Sequence, residues 1–553
     1  MISAFGYAGK HHPHIDYVFP APNVKFISTE TTVILRLDRS LLGSIKNLSA
    51  LIRVSDADGV IAGRTFFAED QRTIIFKPNA PLQKDRQINV RIQTSQFSGD
   101  DYAYSFRTAA SSGNVIDWLQ KPSAPTEPLL QYAPVRVING VAVPGDFPQI
   151  SVKENGPTAP GRIFFATTHI YQGFGNYVVI LENDGTPYFY RRYPSIPRTG
   201  NLTVHPNGEL TFHCYETYYI LLDHQFVEVD TIHVGHGYYA DDHELQILAN
   251  GNILQVARQH VQVDMSKLVA GGQKNATVEA HHLIEMDKNR NIIFEWNNWE
   301  HLDIRDTFVP LTDQFIDFVH MNSIAVDYDG HLIISPREYK SIMKIHRDTG
   351  EVIWTLGGRN NDFTFINEPL PFSFQHDARP VPGKPNHYTL FDNGRDRHPQ
   401  LSRGVEYRLD LDNMTAEKVW EYHHTPDWYS GWMGSVQRFD NGNTLIDFPG
   451  GAVRAVEVNP QGEEVWELRA AGAEAYRCRR FEWDGRMQQP YLILENMGDV
   501  VRLIFNKFGD PTVAFYNIYA GTHTGALALL DSTPNTWLDI DALTLGNGSQ
   551  YFF

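Results

Sequence analysis

Phe318-Val319-His320-Met321-Asn322-Ser323-Ile324-Ala325-Val326 runs into Asp327-Tyr328-Asp329-Gly330 and on through His331-Leu332-Ile333-Ile334-Ser335-Pro336-Arg337. The stretch reads as strand, tight turn, strand. One apolar run stops at Asp329-Gly330, a strong two-residue hairpin signal, and a second ends at Arg337. Antiparallel pairing across that turn brings the far ends together. His320 and Asn322 then share one rim with Arg337. An imidazole, an amide and a fixed cation at one place suit a small anion.

The same pattern recurs after about residue 150. Inner hairpins of this type are Leu202 to Phe212 around Asn207-Gly208, Leu245 to Leu254 around Asn250-Gly251, Ile324 to Ile334, and Val436 to Ile446 around Asn441-Gly442. Outer hairpins lie between them: Ile180 to Tyr190, Leu283 to Trp296, Ile342 to Trp354, Tyr407 to Tyr422, and Ala455 to Leu468. One inner and one outer hairpin make a four-stranded sheet. Such units, repeating every roughly 40 to 75 residues over about 400, predict a six-bladed β-propeller over 151–553. Helical periodicity is nearly absent, so α/β barrels and dinucleotide-binding folds fit poorly.

Residues 1–110 hold short strand runs such as Thr31 to Leu37, Thr73 to Lys77, Gln87 to Ile92 and Ala103 to Thr108, each bounded by turn residues. They predict an N-terminal immunoglobulin-like β-sandwich. The fold class is therefore all-β throughout. The Ser-, Pro- and Gly-rich stretch 111–150 reads as the linker. His11-His12-Pro13-His14 reads as a solvated tail. The net charge of −18 on 553 residues argues against a nucleic-acid partner, which needs clustered Lys and Arg. The two cysteines, Cys214 and Cys478, are too few for a disulfide scaffold, and sequence leaves open whether they pair. No apolar run is long enough for a transmembrane helix. Met1 to Lys10 shows no basic segment followed by an apolar one, so no signal peptide is read there.

Aligning the inner hairpins puts His243, His320 and His376 just before the first strand, with Gly434-Ser435 at that place in the last clear repeat. Inner strands line a propeller's channel, so the three imidazoles converge on its mouth, beside Arg337. A lone histidine at a strand start is ordinarily satisfied locally. Three at one register with a returning arginine point to function. Asn322 reads either as a ligand-orienting amide or as a strand cap. His213, His233, His236, His423 and His424 lie off the register and read as structural. Two chemistries fit. Three histidines suit a metal, giving a metal-dependent propeller lyase or hydrolase. They also suit group transfer from an anionic ester, with one imidazole as nucleophile, another as acid or base, and arginine gripping the anion. A non-catalytic binding propeller is the third class. No phosphate-binding glycine loop or serine-hydrolase elbow is present.

His243-Glu244, His320-x-Asn322, Arg337 and Gln375-His376, set in propeller repeats after a β-sandwich, resemble the bacterial arylsulfate sulfotransferases. The resemblance implies a six-bladed propeller that moves a sulfuryl group from an aryl sulfate to a phenol in a ping-pong cycle, with no nucleotide donor and no cofactor. It implies that His376 becomes a transient sulfohistidine. His320 and Arg337 would hold the sulfuryl oxygens, and His243 would assist as acid, base or binding group. Asn322 is counted with the substrate-binding residues. The implied partners are small aryl sulfates and phenols, with a homodimer compatible. The implied address is periplasmic or secreted. Some relatives carry a short-range disulfide before the nucleophile, which Cys214 and Cys478 cannot form.

Overall fold

The computed structural model describes residues 14–541 except 98, 111–135, 197, 215–217, 511 and 522–526. Its regular structure is almost entirely strand, so the all-β expectation holds. His11 to Pro13 and most of the expected linker lie outside the described residues. Within 136–150, Arg136–Ile138 and Val141–Val143 pair as a short hairpin.

The chain divides into two compact units. One holds Met1–Gln120, Thr217–Tyr219 and Ile232–Arg438; the other holds Lys121–Glu216, Ile220–Thr231 and Phe439–Phe553. In the second unit, Arg162–Ile170, Tyr177–Leu181 and Pro187–Arg192 form an antiparallel meander. Thr199–Val204 pairs with Leu210–Cys214. Gln149–Glu154 closes the outer edge of another sheet, pairing with Glu464–Ala471 rather than with its sequence neighbours. Tyr491–Asn496, Val500–Asn506 and Trp537–Asp541 form a further three-stranded sheet. Cys214 and Cys478 are both buried and free.

The first unit begins with two four-stranded antiparallel sheets. Ile15–Phe19, Val33–Leu37, Thr73–Pro78 and Gly63–Phe67 make one; Gly59–Val60, Ile52–Asp56, Gln87–Ile92 and Tyr102–Arg107 make the other. Three meanders follow. Their strands are Tyr239–Ile247, Ile253–Val263, Ala276–Met286 and Ile292–Trp296; then Met321–Val326, Leu332–Pro336, Ser341–Ile345 and Val352–Gly357; then His376–Pro380, His387–Asp392, Arg403–Asp410 and Thr415–Tyr422. The N-terminal sheets are tied to the first meander. The Tyr17 hydroxyl donates to the Glu295 carbonyl at 2.7 Å, and the buried Arg36 guanidinium donates to the Ile293 carbonyl at 2.9 Å.

The opening hairpin forms in the expected register. Met321 faces Pro336 and Val326 faces Leu332. Gly330 takes φ +82 at the turn, a left-handed conformation that L side chains resist. Beyond the paired ends, Arg337 N–H donates to the His320 carbonyl at 3.1 Å, so the two residues do share a rim. Alternation sends the other faces inward. Ala325, Ile333, Ile342, Trp354 and Leu356 pack against Ala378, Tyr388, Leu390, Val405 and Tyr407 of the next meander in one buried cluster. Trp354 meets Tyr388 edge to face at 5.6 Å, the geometry their quadrupoles prefer.

That apolar layer carries the relative position of the two meanders. Leu390 is fully buried within it, so shortening it leaves a cavity in the layer. Leu390→Ala should lower unfolding free energy by about 2–5 kcal/mol, read from denaturant titration by tryptophan fluorescence.

Candidate functional site

The inner strands of the three meanders are joined by side-chain hydrogen bonds rather than by a backbone ladder. The buried Asn322 amide donates to the Gln375 carbonyl at 2.7 Å, one residue before His376. Ser323 accepts from the Ala378 N–H at 3.1 Å. The Gln375 side chain reaches back to the Ser341 carbonyl at 2.8 Å. Gln246 and Arg379 both donate to the Ile324 carbonyl, each at 2.6 Å, and Arg379 also pairs with Glu244. Asn322 therefore fixes the strand that carries His376. Four residues around the site, His320, Phe374, Asp377 and Met433, hold positive φ, between 49 and 59. Strain of this kind persists only where the surroundings over-determine it, and it gathers at functional sites.

His243, His320 and His281 cluster. The His243 and His320 ring centres are 4.7 Å apart, and those of His281 and His320 are 5.7 Å apart. Carboxylates back two of these rings. His243 Nδ1 lies 2.5 Å from Asp241, and His320 Nδ1 pairs with Asp317. Asp241 is fully buried and is neutralised by Arg258 Nε at 2.5 Å. Arg258 and His243 outweigh burial and hold the Asp241 carboxyl well below its usual range. His281 sits between the two carboxylates, Nε2 at 3.3 Å from Asp241 and Nδ1 at 3.6 Å from Asp317. Burial opposes its charge, but Asp317 and Asp241 together raise its pKa.

His376 is held differently. Its Nδ1 lies 2.7 Å from Asn393 Oδ1 and 3.0 Å from the Phe374 carbonyl. Its Nε2 accepts from the Met433 N–H at 3.3 Å. A carbonyl can only accept and a backbone N–H can only donate, so Nδ1 carries the proton and Nε2 the lone pair. Burial first, then Arg337, holds His376 well below the usual imidazole range, with His320 and His243 adding to the effect. Burial and Arg337, in that order, do the same to His320. The three register histidines and Arg337 thus feel one another's charge.

The Arg337 guanidinium pairs with Glu338 and lies 5.6 Å from the Phe374 ring centre. Arg395 covers the same ring at 4.3 Å. The Ser435 hydroxyl, at the register position of the last repeat, is buried without a hydrogen-bond partner. Off the register, His236 bonds Glu295 at 2.8 Å, and His424 bonds the Pro426 carbonyl at 2.8 Å while stacking on Trp428.

Sequence reasoning missed Asp241, Asp317, His281 and Asn393. The first two stand two and three residues before their histidines, a spacing that was there to be read. His281, Asp317 and His320 each bring a ligating atom within 4.8 Å, a spacing a metal could accept. The carboxylates are already matched by Arg258 and by imidazole N–H groups.

Buried neutral imidazoles make stability depend on pH. Burial pushes His282, in the same strand as His281, down to about 4. Its unfolded value is about 6.5, so between these values the unfolded chain binds the proton and the folded one does not. The stability from this group is complete above about pH 6.5 and is lost as pH falls toward about 4, to a total of about 3 kcal/mol. Denaturant midpoints at neutral and acid pH should show this loss, and His282→Gln should shrink it.

The central and C-terminal sequence has recognised relatives. Residues 150–477 match the family model for arylsulfotransferases (ASST). The arylsulfate sulfotransferase AssT of Escherichia coli O6:H1 (strain CFT073) is 28% identical over 176 residues, covering 26% of this chain and 29% of that protein. The chain thus matches less than a third of that relative's length. Among solved structures, a protein of unknown function from Bacteroides caccae aligns with TM-score 0.37 and 11% identity, covering 56% of this chain and 94% of that one. Virginiamycin B lyase from Staphylococcus aureus aligns with TM-score 0.30 and 10% identity, covering 65% and 97%. Scores this low leave the fold description resting on the strand pairing itself. With more than half of its length matched by the family model, the chain belongs to the arylsulfotransferase (ASST) family.

Proposed function

We propose that this protein transfers a sulfuryl group from an aryl sulfate to a phenolic acceptor, in a ping-pong cycle through a sulfohistidine on His376. The observation that carries this reading is the unequal support of the three histidines. His243 and His320 rest on carboxylates, Asp241 and Asp317. His376 rests on an amide and a carbonyl, with a lone pair on Nε2. A neutral nucleophile beside an arginine and two further imidazoles is what transfer of a small anion requires.

In the first half-reaction Nε2 of His376 attacks sulfur, the sulfur–oxygen bond to the aryl group breaks, and the phenolate takes a proton from His243. Arg337 meets the sulfuryl oxygens as charge builds on them, with His320 beside it. In the second half-reaction the acceptor phenol gives its proton to His243 and attacks sulfur. The nitrogen–sulfur bond breaks and His376 returns to its neutral form. Asn322 acts by holding the strand beneath His376. The fold we propose for this chemistry is a six-bladed propeller over 151–553 behind an immunoglobulin-like domain over 1–110. By likeness to the family, a periplasmic or secreted address fits.

The test is p-nitrophenyl sulfate with and without phenol. We expect phenol-dependent release of p-nitrophenol that EDTA leaves unchanged. Intact mass should show a sulfuryl adduct in the absence of acceptor. His376→Ala should lose the adduct and lower kcat by about 10⁴-fold or more. An adduct that survives His376→Ala refutes the assignment, and EDTA-sensitive turnover refutes the reaction class.

A further inference from the structure

Asn393 is fully buried and faces His376 from just past the return strand His387–Asp392 of the same hairpin, where His376 pairs with Phe391. Its orientation is fixed by what else it touches. The amide nitrogen donates to the Ser430 carbonyl at 2.8 Å and to the Met433 carbonyl at 3.0 Å. Both partners only accept, so the nitrogen must face them, and the amide oxygen must face His376 Nδ1. The same contacts hold the Ser430 to Met433 segment, which brings the Met433 N–H to Nε2. One side chain therefore governs both ring nitrogens of His376.

We propose that Asn393 is the positioning residue of the reaction: its amide oxygen fixes the proton of His376 on Nδ1 and leaves Nε2 nucleophilic, where a carboxylate would favour the charged ring. The inference rests on the sulfuryl-transfer reading. The contrast is internal to the site. The Asp241–His243 and Asp317–His320 pairs show what a carboxylate partner looks like in this fold. The charged groups that act on His376 are Arg337, which disfavours its protonation, and the imidazoles of His320 and His243. An imidazolium would also set an N–H against the Met433 N–H. In the preceding hairpin Arg337 stands one residue past the partner of Met321, whereas Asn393 stands two residues past the partner of His376. Each hairpin return thus delivers one group to the rim.

Two substitutions separate positioning from mere folding. In Asn393→Asp a carboxylate accepts the Nδ1–H and stabilises the charged ring. The acid limb of kcat/KM should move up by about one pH unit or more, a tenfold change in proton affinity. In Asn393→Ala the acceptor is lost. Here kcat for p-nitrophenyl sulfate and phenol should fall by about 10- to 100-fold, KM should change far less, and the acid limb should not move upward. Thermal denaturation confirms that both variants fold. A second readout needs no turnover: the NMR titration of the His376 ring, assigned by its loss in His376→Gln, should shift upward in Asn393→Asp. A folded Asn393→Ala with wild-type kcat overturns the inference, as does an Asn393→Asp protein whose His376 titrates as in the wild type. If the wild-type protein transfers no sulfuryl group, the reaction reading fails, and the NMR titration alone decides the role of Asn393.

Discussion

The hydrogen bond from the Asn322 amide to the Gln375 carbonyl is the constraint on which the site depends. Adjacent meanders in this unit share no backbone ladder at their inner edges. An apolar layer presses them together, but such a layer is non-directional and fixes position only as well as its packing. Directional bonds from Asn322, Ser323, Gln375 and Arg379 set the inner strands against one another. These bonds lie in a buried, low-dielectric place, where a lost partner costs more than a formed bond gains. The arrangement is therefore both precise and intolerant of substitution.

The same low dielectric gives the histidines their separate characters. An imidazole taken out of water loses its proton unless something stabilises the charge. Asp241 and Asp317 stand behind His243 and His320, yet burial and Arg337 still hold His320 well below the usual imidazole range, and Arg258 keeps Asp241 itself ionised. At Nδ1, His376 meets two neutral acceptors, the Asn393 amide and the Phe374 carbonyl. A site for an anionic ester must attract negative charge and still present an uncharged nucleophile. In the proposed reaction Arg337 supplies that attraction and the buried, neutral His376 the nucleophile. His281 lies between the two carboxylates and so joins the supports of His243 and His320.

Much of the site was legible. The Asp329-Gly330 turn and the apolar runs beside it gave the register, and the register gave the meeting of His320 with Arg337. The carboxylates at Asp241 and Asp317 could have been read from their closeness to the histidines. Asn393 is different. It stands 17 residues after His376, and its meaning depends on a strand return and on the carbonyls of Ser430 and Met433. No local pattern marks an asparagine there as anything but a turn residue.

The sequence by itself determined the strands, their turns, and which side chains share a rim. Those follow from period-two alternation and glycine-bearing turns, which act over a few residues. Tertiary structure decided which partner stands behind each imidazole, and so which nitrogen of His376 keeps the lone pair. Proton affinity in a buried site is set by dielectric and by contacts across the fold, and neither is carried by neighbouring residues in the chain. The hairpin of His320 and Arg337 supplies the cation of the site, and the next hairpin, through His376 and Asn393, supplies the neutral ring.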